Sequence, residues 1–408
     1  MKILIVDVYG HIRSTGKITT LQYQNMKNLG HEVKVCYRGI REPHIDNPDY
    51  IKVAGFIEPV MAKGLAMLTG YEGFFHPFAT KKLKKITLDF KPDIVQLNIL
   101  HGYYINSCEY IQFLKDQNIA VSYAMFDEYA YMGKCPFSFK CNQFVYGCKG
   151  NCPHVKNYPT SLFFDRSKFI WRKKHEALSG FKNIVFVGTE WVANRARQSA
   201  MLKGFRIENL DEPINFAKIF YPKDVKYLRD KLHIPTDNKI IVTVAQLSDP
   251  RKGGKYVFEV AKKLEVYKDI TFVFVGCDTA APFECDNMIK IPFVKNQDEL
   301  ADFYSLGDLF ICTSLADTTP CTCIEALGCG TPIAGFAEAG TPTVCTNKYG
   351  IFTPTYDIDA LADVVLKAPK KTEERMEECR LYAVTRFSPN VVFKKLEIIY
   401  QSLLKKKI

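Results

Sequence analysis

The order of apolar runs along the chain is the feature that most restricts its fold. Short runs rich in β-branched residues alternate with longer segments of helical periodicity, and this alternation occurs in two successive series. Alternation of this kind predicts parallel sheets with helices on both faces. The predicted strands are 3–8, 32–36, 94–98, 120–125 and 183–187 in the first series and 240–245, 271–275, 288–291, 309–313 and 333–336 in the second.

The length of the chain favours two domains. It has 408 residues, of which 47% are hydrophobic and 24% charged, enough for two cores of ordinary size. Prolines at 213 and 222 interrupt the pattern, and we place the linker within 205–222. The sequence therefore predicts an α/β protein whose two doubly wound, Rossmann-like domains, 1–210 and 211–388, face each other across a cleft.

Composition narrows the cellular setting and the partners. The N-terminus begins in a predicted strand and lacks the apolar core of a signal peptide, and no run approaches the ~18 apolar residues of a membrane span. We expect a cytoplasmic protein whose 14 cysteines are reduced. The net charge of +11 suits anionic partners, but no basic stripe with interleaved aromatic residues occurs, so nucleic acid is not expected.

The segment 308–333 has the pattern of a ligand site. An apolar run ends before Thr313, a polar loop follows, and a helix is predicted over 321–327. Free amides and the positive end of the helix dipole favour an anion at such a place. Asp317 and Glu325 lie so that both can face a polyhydroxylated, phosphate-bearing ligand such as a nucleotide sugar. The alternative is an ordinary strand-to-helix turn with a capping Asp.

This segment resembles the signature of the GT-B glycosyltransferases of family four, in which Glu, seven residues and a second Glu precede Gly-Thr-Pro and a hydrophobic residue. Asp317 replaces the first Glu, Glu325 matches the second, and 330–333 match the tail. The resemblance implies a retaining hexosyltransferase that uses a nucleotide diphosphate sugar. It also implies that Asp317 contacts the donor sugar, that Glu325 holds the ribose, and that the amides near Thr318 and Thr319 hold sugar and diphosphate.

The loop 10–17 resembles a branch of that family found in colanic-acid, capsule and O-antigen synthesis. Its Ser-Thr-Gly-Lys-Ile stretch allows backbone amides around Gly16 to approach a phosphate closely. It is not a Walker motif, because five residues separate Gly10 from Gly16 and Ile18 stands where a metal-binding hydroxyl belongs. The branch implies a glycan or lipid-linked glycan of a surface polysaccharide as acceptor.

Two further stretches of the second domain resemble donor-binding parts of the family. Lys252 matches a Lys that grips the diphosphate, and Arg251 is our candidate for the second cation because Gln246 occupies the usual Arg position. The alternative for Arg251 is a solvated basic turn. Val294, with Phe293, falls in the base-binding loop, where core packing of both side chains is the favoured interpretation.

We expect catalysis without a cofactor or metal. Two cations and helix amides compensate a diphosphate. The chain does contain Asp-x-Asp at 357–359, a pattern that binds metal in glycosyltransferases of another fold, but it precedes a predicted helix and favours an N-cap.

The first domain also resembles the capsule-type branch, at 100–104 and at 125–129. The family's donor-contacting His corresponds here to Phe126, which cannot form a hydrogen bond through its side chain. Asp127 and His101 remain as the polar catalytic candidates beside Asp317. A purely structural histidine is the alternative for His101.

Four cysteines form an unusual cluster in the sequence. Cys135, Cys141, Cys148 and Cys152 are separated by five, six and three residues. Four thiols in one loop suggest a structural zinc site. Packing cysteines or a labile disulfide pair are the alternatives.

The remaining expectations concern surfaces and rival functions. In the GT-B fold the last helix, here 389–408, commonly packs back onto the first domain. Lysines within 81–85 and 168–174, with the apolar stretch 53–78, suggest peripheral contact with an anionic inner leaflet, although a solvated face is the alternative. A nucleotide-sugar 2-epimerase and a degenerate nucleotide-sugar-binding protein are the rival functions.

Overall fold

The computed structural model describes residues 1–40, 42–277 and 283–405. It divides into two compact units, Met1–Pro213 with Val392–Ile408, and Ile214–Val391. The boundary after Pro213 lies within the segment 205–222. Residues 406–408 of the predicted last helix lie outside the described residues.

The strands and helices alternate through both units. The strands are β1 (Lys2–Asp7), β2 (Glu32–Tyr37), β3 (Tyr50–Lys52), β4 (Ile94–Leu97), β5 (Ala120–Met125), β6 (Ile184–Gly188), β7 (Arg206–Asn209), β8 (Lys239–Val244), β9 (Ile270–Val275), β10 (Met288–Ile291), β11 (Leu309–Cys312), β12 (Ile333–Phe336) and β13 (Gly350–Thr353). The α-helices are α1 (Arg13–Asn28), α2 (Ile57–Thr69), α3 (Pro77–Phe90), α4 (Ser107–Asp116), α5 (Ser167–Leu178), α6 (Glu190–Gln198), α7 (Lys226–Lys231), α8 (Gly254–Lys263), α9 (Gln297–Leu306), α10 (Cys321–Gly328), α11 (Ile358–Lys367), α12 (Glu373–Phe387) and α13 (Pro389–Lys405).

The first unit is built on a seven-stranded parallel sheet with the order β3-β2-β1-β4-β5-β6-β7. Successive residues of β1 belong to different cores, because side chains along a strand alternate between the two faces of the sheet. Leu4 and Val6 pack in one cluster and Ile3 and Ile5 in the other. Helix α13 closes the second cluster with five apolar side chains, among them Phe393.

The second unit contains a six-stranded parallel sheet with the order β10-β9-β8-β11-β12-β13. Here too the central strands divide their side chains between two cores. Val242 and Phe310 pack on one face, and Ile241 and Ile311 pack on the other. Continuous apolar strands are expected when helices cover both faces of a parallel sheet.

The predicted α/β class with two parallel, helix-covered sheets is confirmed, and every predicted strand is present. Strands β3, β7 and β13 were not predicted from the sequence. All three are edge strands of three or four residues. An edge strand pairs on one side only and is partly exposed, so its sequence lacks a continuous apolar run. Strand β7 occupies the beginning of the segment 205–222, which we assigned to the linker.

Polar residues collect where the central strands of the first sheet end. Asp7, the last residue of β1, is fully buried and accepts hydrogen bonds from Thr19 Oγ1 at 2.5 Å and Asn98 Nδ2 at 3.3 Å. Burial raises the pKa of Asp7 to about 6, although the donated hydrogen bonds oppose this shift. The protonated carboxyl of Asp7 therefore contributes to the free energy of unfolding. This contribution is fully present below about pH 4 and is lost as the pH rises through about 6.

We predict that Asp7→Asn reduces the pH dependence of stability. Between pH 4 and pH 7 the free energy of unfolding of the wild type should fall by about 3 kcal/mol more than that of the variant, from a pKa difference of about two units. Urea unfolding at several pH values measures this difference. Asp89→Asn, on the exposed side of α3, is the matched control. Equal pH profiles for the wild type and Asp7→Asn would contradict the assignment.

Candidate functional site

The loop between β11 and α10 forms the centre of the site in the second unit. Pro320 occupies the N-cap position of α10, and the first turn of the helix contains no acidic residue. Proline has no side-chain oxygen with which to cap the helix, so no capping side chain offsets the positive end of the helix dipole, which favours an anion. Thr318 and Thr319, which lead into this helix, are buried.

Asp317 and Lys252 form an ion pair beside this helix start. Lys252 Nζ lies 2.9 Å from Oδ1 and 2.8 Å from Oδ2 of Asp317, and Ser314 Oγ donates to Oδ2 at 2.5 Å. Burial works to raise the pKa of Asp317, but the Lys252 ammonium and the hydrogen bonds outweigh it, so the pKa is lowered. Burial likewise works against a charged Lys252, yet Asp317 raises its pKa. Both groups are therefore charged at neutral pH.

Backbone contacts hold the two halves of this ion pair together. Gly253 adopts a left-handed conformation (φ 65°), and a Cβ there would collide with the carbonyl of Thr313. Thr313 Oγ1 donates to the carbonyl of Gly253 at 2.9 Å, and the amide of Leu315 donates to the carbonyl of Arg251 at 2.7 Å. The glycine thus allows the turn that carries Lys252 to lie directly against the loop that carries Asp317.

Arg251 points its charge toward a neighbour in its own turn. Its guanidinium lies 2.6 Å from Oδ2 and 3.1 Å from Oδ1 of Asp249, whose carboxylate also accepts the amide of Arg251. Asp249 caps the short 3-10 helix Pro250–Lys252. Both cations expected at the diphosphate are therefore paired with carboxylates in this structure.

Glu325 lies one turn into α10 and receives a hydrogen bond from α9. Tyr304 OH donates to Glu325 Oε2 at 2.7 Å. Tyr304 is fully buried, and burial, with the carboxylate beside it, raises the pKa of its phenol well above 10. The carboxylate of Glu325 is oriented by a rigid neutral donor.

Two other sequence predictions have clear outcomes. Val294 is partly buried and packs against a core cluster of the second unit, but Phe293 is 68% exposed, so core packing was wrong for that residue. Asp357 caps α11, with Oδ1 accepting the amide of Ala360 at 2.9 Å. The predicted N-cap is confirmed.

In the first unit, His101 and Asp127 form a hydrogen-bonded dyad. His101 Nε2 lies 2.7 Å from Asp127 Oδ2, and Nδ1 lies 3.0 Å from Tyr158 OH. The amide of Tyr129 donates to Asp127 Oδ1 at 2.9 Å. Since a carboxylate only accepts, Nε2 carries the proton toward Asp127, and in the tautomer protonated at Nε2 alone Nδ1 accepts from the tyrosine. Phe126 packs beside the apolar cores of this unit.

Buried residues around Tyr129, which follows Asp127 by two positions, support this dyad and were not predicted from the sequence. Tyr129 OH donates to the buried Glu72 at 2.8 Å. The ammonium of Lys174 lies 3.1 Å from the centre of the Tyr129 ring and donates to the Tyr129 carbonyl at 2.8 Å. Burial lowers the pKa of Lys174 to about 8. Lys174 is thus a buried support, and the expectation that it faces a membrane was wrong.

No short motif in the sequence marks the additional site residues. Tyr158 and Glu72 lie far along the chain from Asp127, and Tyr304 belongs to the apolar stripe of an ordinary helix. Only Ser314 had a usable signal, because it precedes Asp317 by three residues at the end of a strand. The other residues are identified only by their contacts with segments that are distant in the chain.

Gly16 does not lie in a loop, as the sequence analysis expected, but in the first turns of α1, which begins at Arg13. A Cβ at Gly16 would lie 3.0 Å from Cβ of Tyr9 and 3.1 Å from the backbone of His11. The amide of Gly10, in the preceding turn, donates to the buried carboxylate of Glu42 at 2.9 Å. The glycine permits close packing of the helix on the turn between β1 and α1.

The four-cysteine loop does not fit the predicted zinc site. Cys135, Cys141, Cys148 and Cys152 are free thiols, and no group of three or more His, Cys, Asp or Glu side chains in the described ranges is placed to hold a metal ion. Cys148 Sγ instead accepts the amide of Gly133 at 3.2 Å, and burial raises the pKa of Cys148 to about 11.

A buried polar network organises the start of this loop. Glu128 accepts the amide of Ser138 at 2.6 Å, its hydroxyl at 2.9 Å and Arg195 Nε at 2.8 Å. Lys134 donates to two loop carbonyls, those of Val155 at 2.5 Å and Pro159 at 2.7 Å. Charged side chains thus satisfy the backbone of the loop.

We predict that Glu128→Gln lowers the free energy of unfolding by about 3 kcal/mol, because it leaves Arg195 without its buried partner. Arg172→Gln, which breaks an exposed pair with Glu176, should cost roughly 0.5 kcal/mol or less. Urea unfolding measures both losses of stability.

We also predict that the four-cysteine loop holds no zinc. Purified protein should contain far less than one equivalent of zinc, and EDTA should leave its melting temperature unchanged. A full equivalent of zinc with EDTA-dependent unfolding would restore the metal site.

Comparisons with known proteins agree with this architecture. Residues 224–384 match the family model described as glycosyl transferases group 1. The putative colanic acid biosynthesis glycosyl transferase WcaC of Escherichia coli (strain K12) is 21% identical over 260 residues, 61% of this chain and 61% of its own length. Alpha-monoglucosyldiacylglycerol synthase of Acholeplasma laidlawii is 23% identical over 363 residues, 81% of this chain and 78% of its own.

Solved structures share the fold at low identity. Sucrose-phosphate synthase from Thermosynechococcus elongatus has a TM-score of 0.70 at 16% identity and covers 99% of both chains. Anabaena HepE in complex with UDP-glucose has a TM-score of 0.63 at 12% identity, over 98% of this chain and 100% of its own. Over residues 224–384 the chain is thus similar to the GT-B glycosyltransferases of family four. Its resemblance to that family, inferred above from Asp317, Glu325 and 330–333, is confirmed.

We predict opposite effects of the two members of the Lys252–Asp317 pair on UDP affinity. Asp317→Asn frees the ammonium and should tighten UDP binding by roughly threefold to tenfold, whereas Lys252→Met should weaken it by roughly tenfold or more. Isothermal titration calorimetry with UDP, and with GDP in parallel, measures both. Weaker binding of both nucleotides by Asp317→Asn would show that the carboxylate does not compete for Lys252.

Proposed function

We propose that this protein is a retaining glycosyltransferase that moves a hexosyl group from a nucleotide diphosphate sugar to a surface-polysaccharide acceptor. The observation that carries the proposal is the Lys252–Asp317 pair at the uncapped start of α10, with Glu325 one turn further on. A cation and helix amides suit a diphosphate, and two carboxylates suit sugar hydroxyls. No cofactor is assigned to the chemical step.

The donor fits this arrangement if its diphosphate takes over Lys252. The ammonium then leaves Asp317 for the phosphate oxygens, and the released carboxylate accepts hydrogen bonds from hydroxyls of the transferred sugar. Glu325, already oriented by Tyr304, accepts from the ribose. Arg251, held by Asp249, supplies a second positive charge nearby. Negative charge that develops on the departing phosphate is stabilised most by Lys252.

The proposed transfer step breaks one bond, forms one bond and moves one proton. The bond between the anomeric carbon and the β-phosphate oxygen breaks, and the acceptor oxygen forms a new bond to the same carbon. The leaving phosphate oxygen accepts the acceptor's proton on the same face of the sugar, so the anomeric configuration is retained. Retention is proposed from the family, since the chain offers no assigned nucleophile.

His101 is our candidate for the hydrogen bond to the transferred sugar that Phe126 cannot make. Its Nδ1 accepts from the hydroxyl of Tyr158, a residue that is 47% exposed, and a sugar hydroxyl could replace this donor. Asp127 keeps the ring in the tautomer that leaves Nδ1 as acceptor. Asp127 would therefore act through His101.

The acceptor class rests on the similarity to the colanic-acid enzyme and on the sequence branch discussed above. A glycan, free or linked to a lipid, is our proposed acceptor. Other relatives have names with different acceptors, including N-acetyl-alpha-D-glucosaminyl L-malate synthase of Bacillus anthracis, which is 21% identical over 197 residues. The acceptor is therefore best determined by direct assay.

A thermal-shift screen of UDP-, GDP- and dTDP-sugars identifies the donor. A donor at a hundred times its dissociation constant should stabilise the protein by ~2.7 kcal/mol. The selected donor is then assayed for acceptor-dependent release of nucleoside diphosphate, with and without EDTA, and NMR of the product reports the anomeric configuration. Donor binding without transfer to any acceptor would favour a binding protein, and epimerisation of UDP-GlcNAc would favour an epimerase.

We predict that Glu325→Ala abolishes transfer and raises the donor dissociation constant roughly tenfold or more, because a charge-assisted hydrogen bond is lost. His101→Ala should lower kcat/KM roughly tenfold to a hundredfold with little change in affinity for the free nucleotide. The double variant His101→Ala/Phe126→His should recover part of the activity. Unchanged transfer by His101→Ala would exclude the proposed role of the dyad.

A further inference from the structure

Helix α2 presents its large apolar side chains to water. Its buried residues are the small Pro59, Ala62 and Ala66, whereas Ile57 and Met61 are 71% and 61% exposed. An ordinary surface helix has the reverse arrangement, with large apolar residues against the core. Contiguous exposed apolar surface marks an interaction site.

Neighbouring segments extend this surface. The amide of Phe78, which is 77% exposed, donates to Glu58 of α2 at 2.8 Å. At the other end of the helix, the amide of Leu162 donates to the carbonyl of Met67 at 2.8 Å. The exposed residues that form this α2 patch are Phe56, Ile57, Val60, Met61, Leu65, Leu68, Phe78, Leu162, Phe163 and Phe164.

Lysines surround the α2 patch. Lys81, Lys82 and Lys85 follow Phe78 on α3 by three, four and seven residues and therefore share its face of the helix. All three are exposed, and none has a carboxylate within ion-pair distance in the described part of the chain, whereas Lys84 pairs with Glu109 at 2.7 Å. The acid within α2, Glu58, is occupied in capping the first amides of α3.

We propose that the α2 patch docks on an anionic lipid bilayer, with its apolar side chains in the interfacial layer and the lysines against the headgroups. An apolar helix face flanked by unpaired cations is the pattern of an interfacial helix. A symmetric contact between two copies would bring the lysines of both together, and this repulsion disfavours self-association. The positive charge of the lysines around the α2 patch thus favours an anionic surface as the partner.

The α2 patch and the His101–Asp127 dyad share one scaffold within the first unit. Glu72, three residues after α2, holds the hydroxyl of Tyr129, and Tyr158, which contacts His101, precedes Leu162 by four residues. An acceptor anchored in the bilayer would therefore approach the dyad. This last step rests on the proposed function, but docking of the α2 patch does not.

None of the helices in the described ranges is long and apolar enough to span a bilayer.

Sedimentation with lipid vesicles tests the proposal on the full chain. Vesicles with about 30 mol% phosphatidylglycerol should bind the protein roughly tenfold more strongly than pure phosphatidylcholine vesicles, and salt should weaken the difference. Ile57→Ser/Met61→Ser/Leu68→Ser should reduce binding to the anionic vesicles roughly tenfold. Lys81→Gln/Lys82→Gln/Lys85→Gln should remove most of the preference for anionic lipid.

Matched variants in the second unit provide the controls. Val266→Ser/Leu381→Ser changes two apolar residues that are 75% and 65% exposed, and Lys226→Gln/Lys231→Gln changes two exposed lysines. These variants should bind vesicles as the wild type does, and every variant should keep its nucleotide-induced thermal shift. Equal wild-type binding to both lipids, or wild-type binding by the serine variant, would overturn the proposal. An α2-dependent change of oligomeric state without vesicle binding would overturn it as well, in favour of a protein interface.

Discussion

The close approach of Gly253 to the carbonyl of Thr313 is the contact on which the site in the second unit depends. Only a residue without a Cβ allows these two loops to touch. Their contact brings the Lys252 ammonium to 2.8 Å from Asp317, in the loop that leads into α10. The pair is only partly exposed, so each charge stabilises the other, and an anionic ligand must compete with the carboxylate for the ammonium.

The dyad of the first unit depends on buried polar groups in a similar way. Asp127 is oriented by a backbone amide, and the ring of Tyr129 lies over the ammonium of Lys174. The cost of burying the Lys174 ammonium is offset because two backbone carbonyls, to which it donates, replace water. The fold thus places buried, hydrogen-bonded supports beneath His101, whose partner Tyr158 is partly exposed. A histidine that is held by buried groups and whose hydroxyl partner can be replaced is suited to ligand binding.

The cysteine loop and the α2 patch show how burial changes the meaning of a sequence pattern. Four thiols close in sequence suggested zinc, yet Cys148 accepts a backbone amide and Glu128 organises the loop through Ser138 and Arg195. Conversely, the apolar stretch of α2, for which the sequence suggested peripheral membrane contact, exposes its large side chains. Its exposure follows from packing through small residues, which a hydrophobic pattern alone does not reveal.

The sequence by itself determined the two parallel sheets, the start of α10, the cap at Asp357 and the family signature of Asp317 and Glu325, because each depends on local periodicity or on residues close in the chain. It did not reveal the edge strands β3, β7 and β13, which lack a continuous apolar run. Only the tertiary structure decided that Ser314 and Lys252 meet Asp317, that Tyr304 orients Glu325 and that Tyr158 contacts His101. These contacts join segments from different strands and helices, and their geometry is set by how whole elements pack, for which no short stretch of sequence carries a signal.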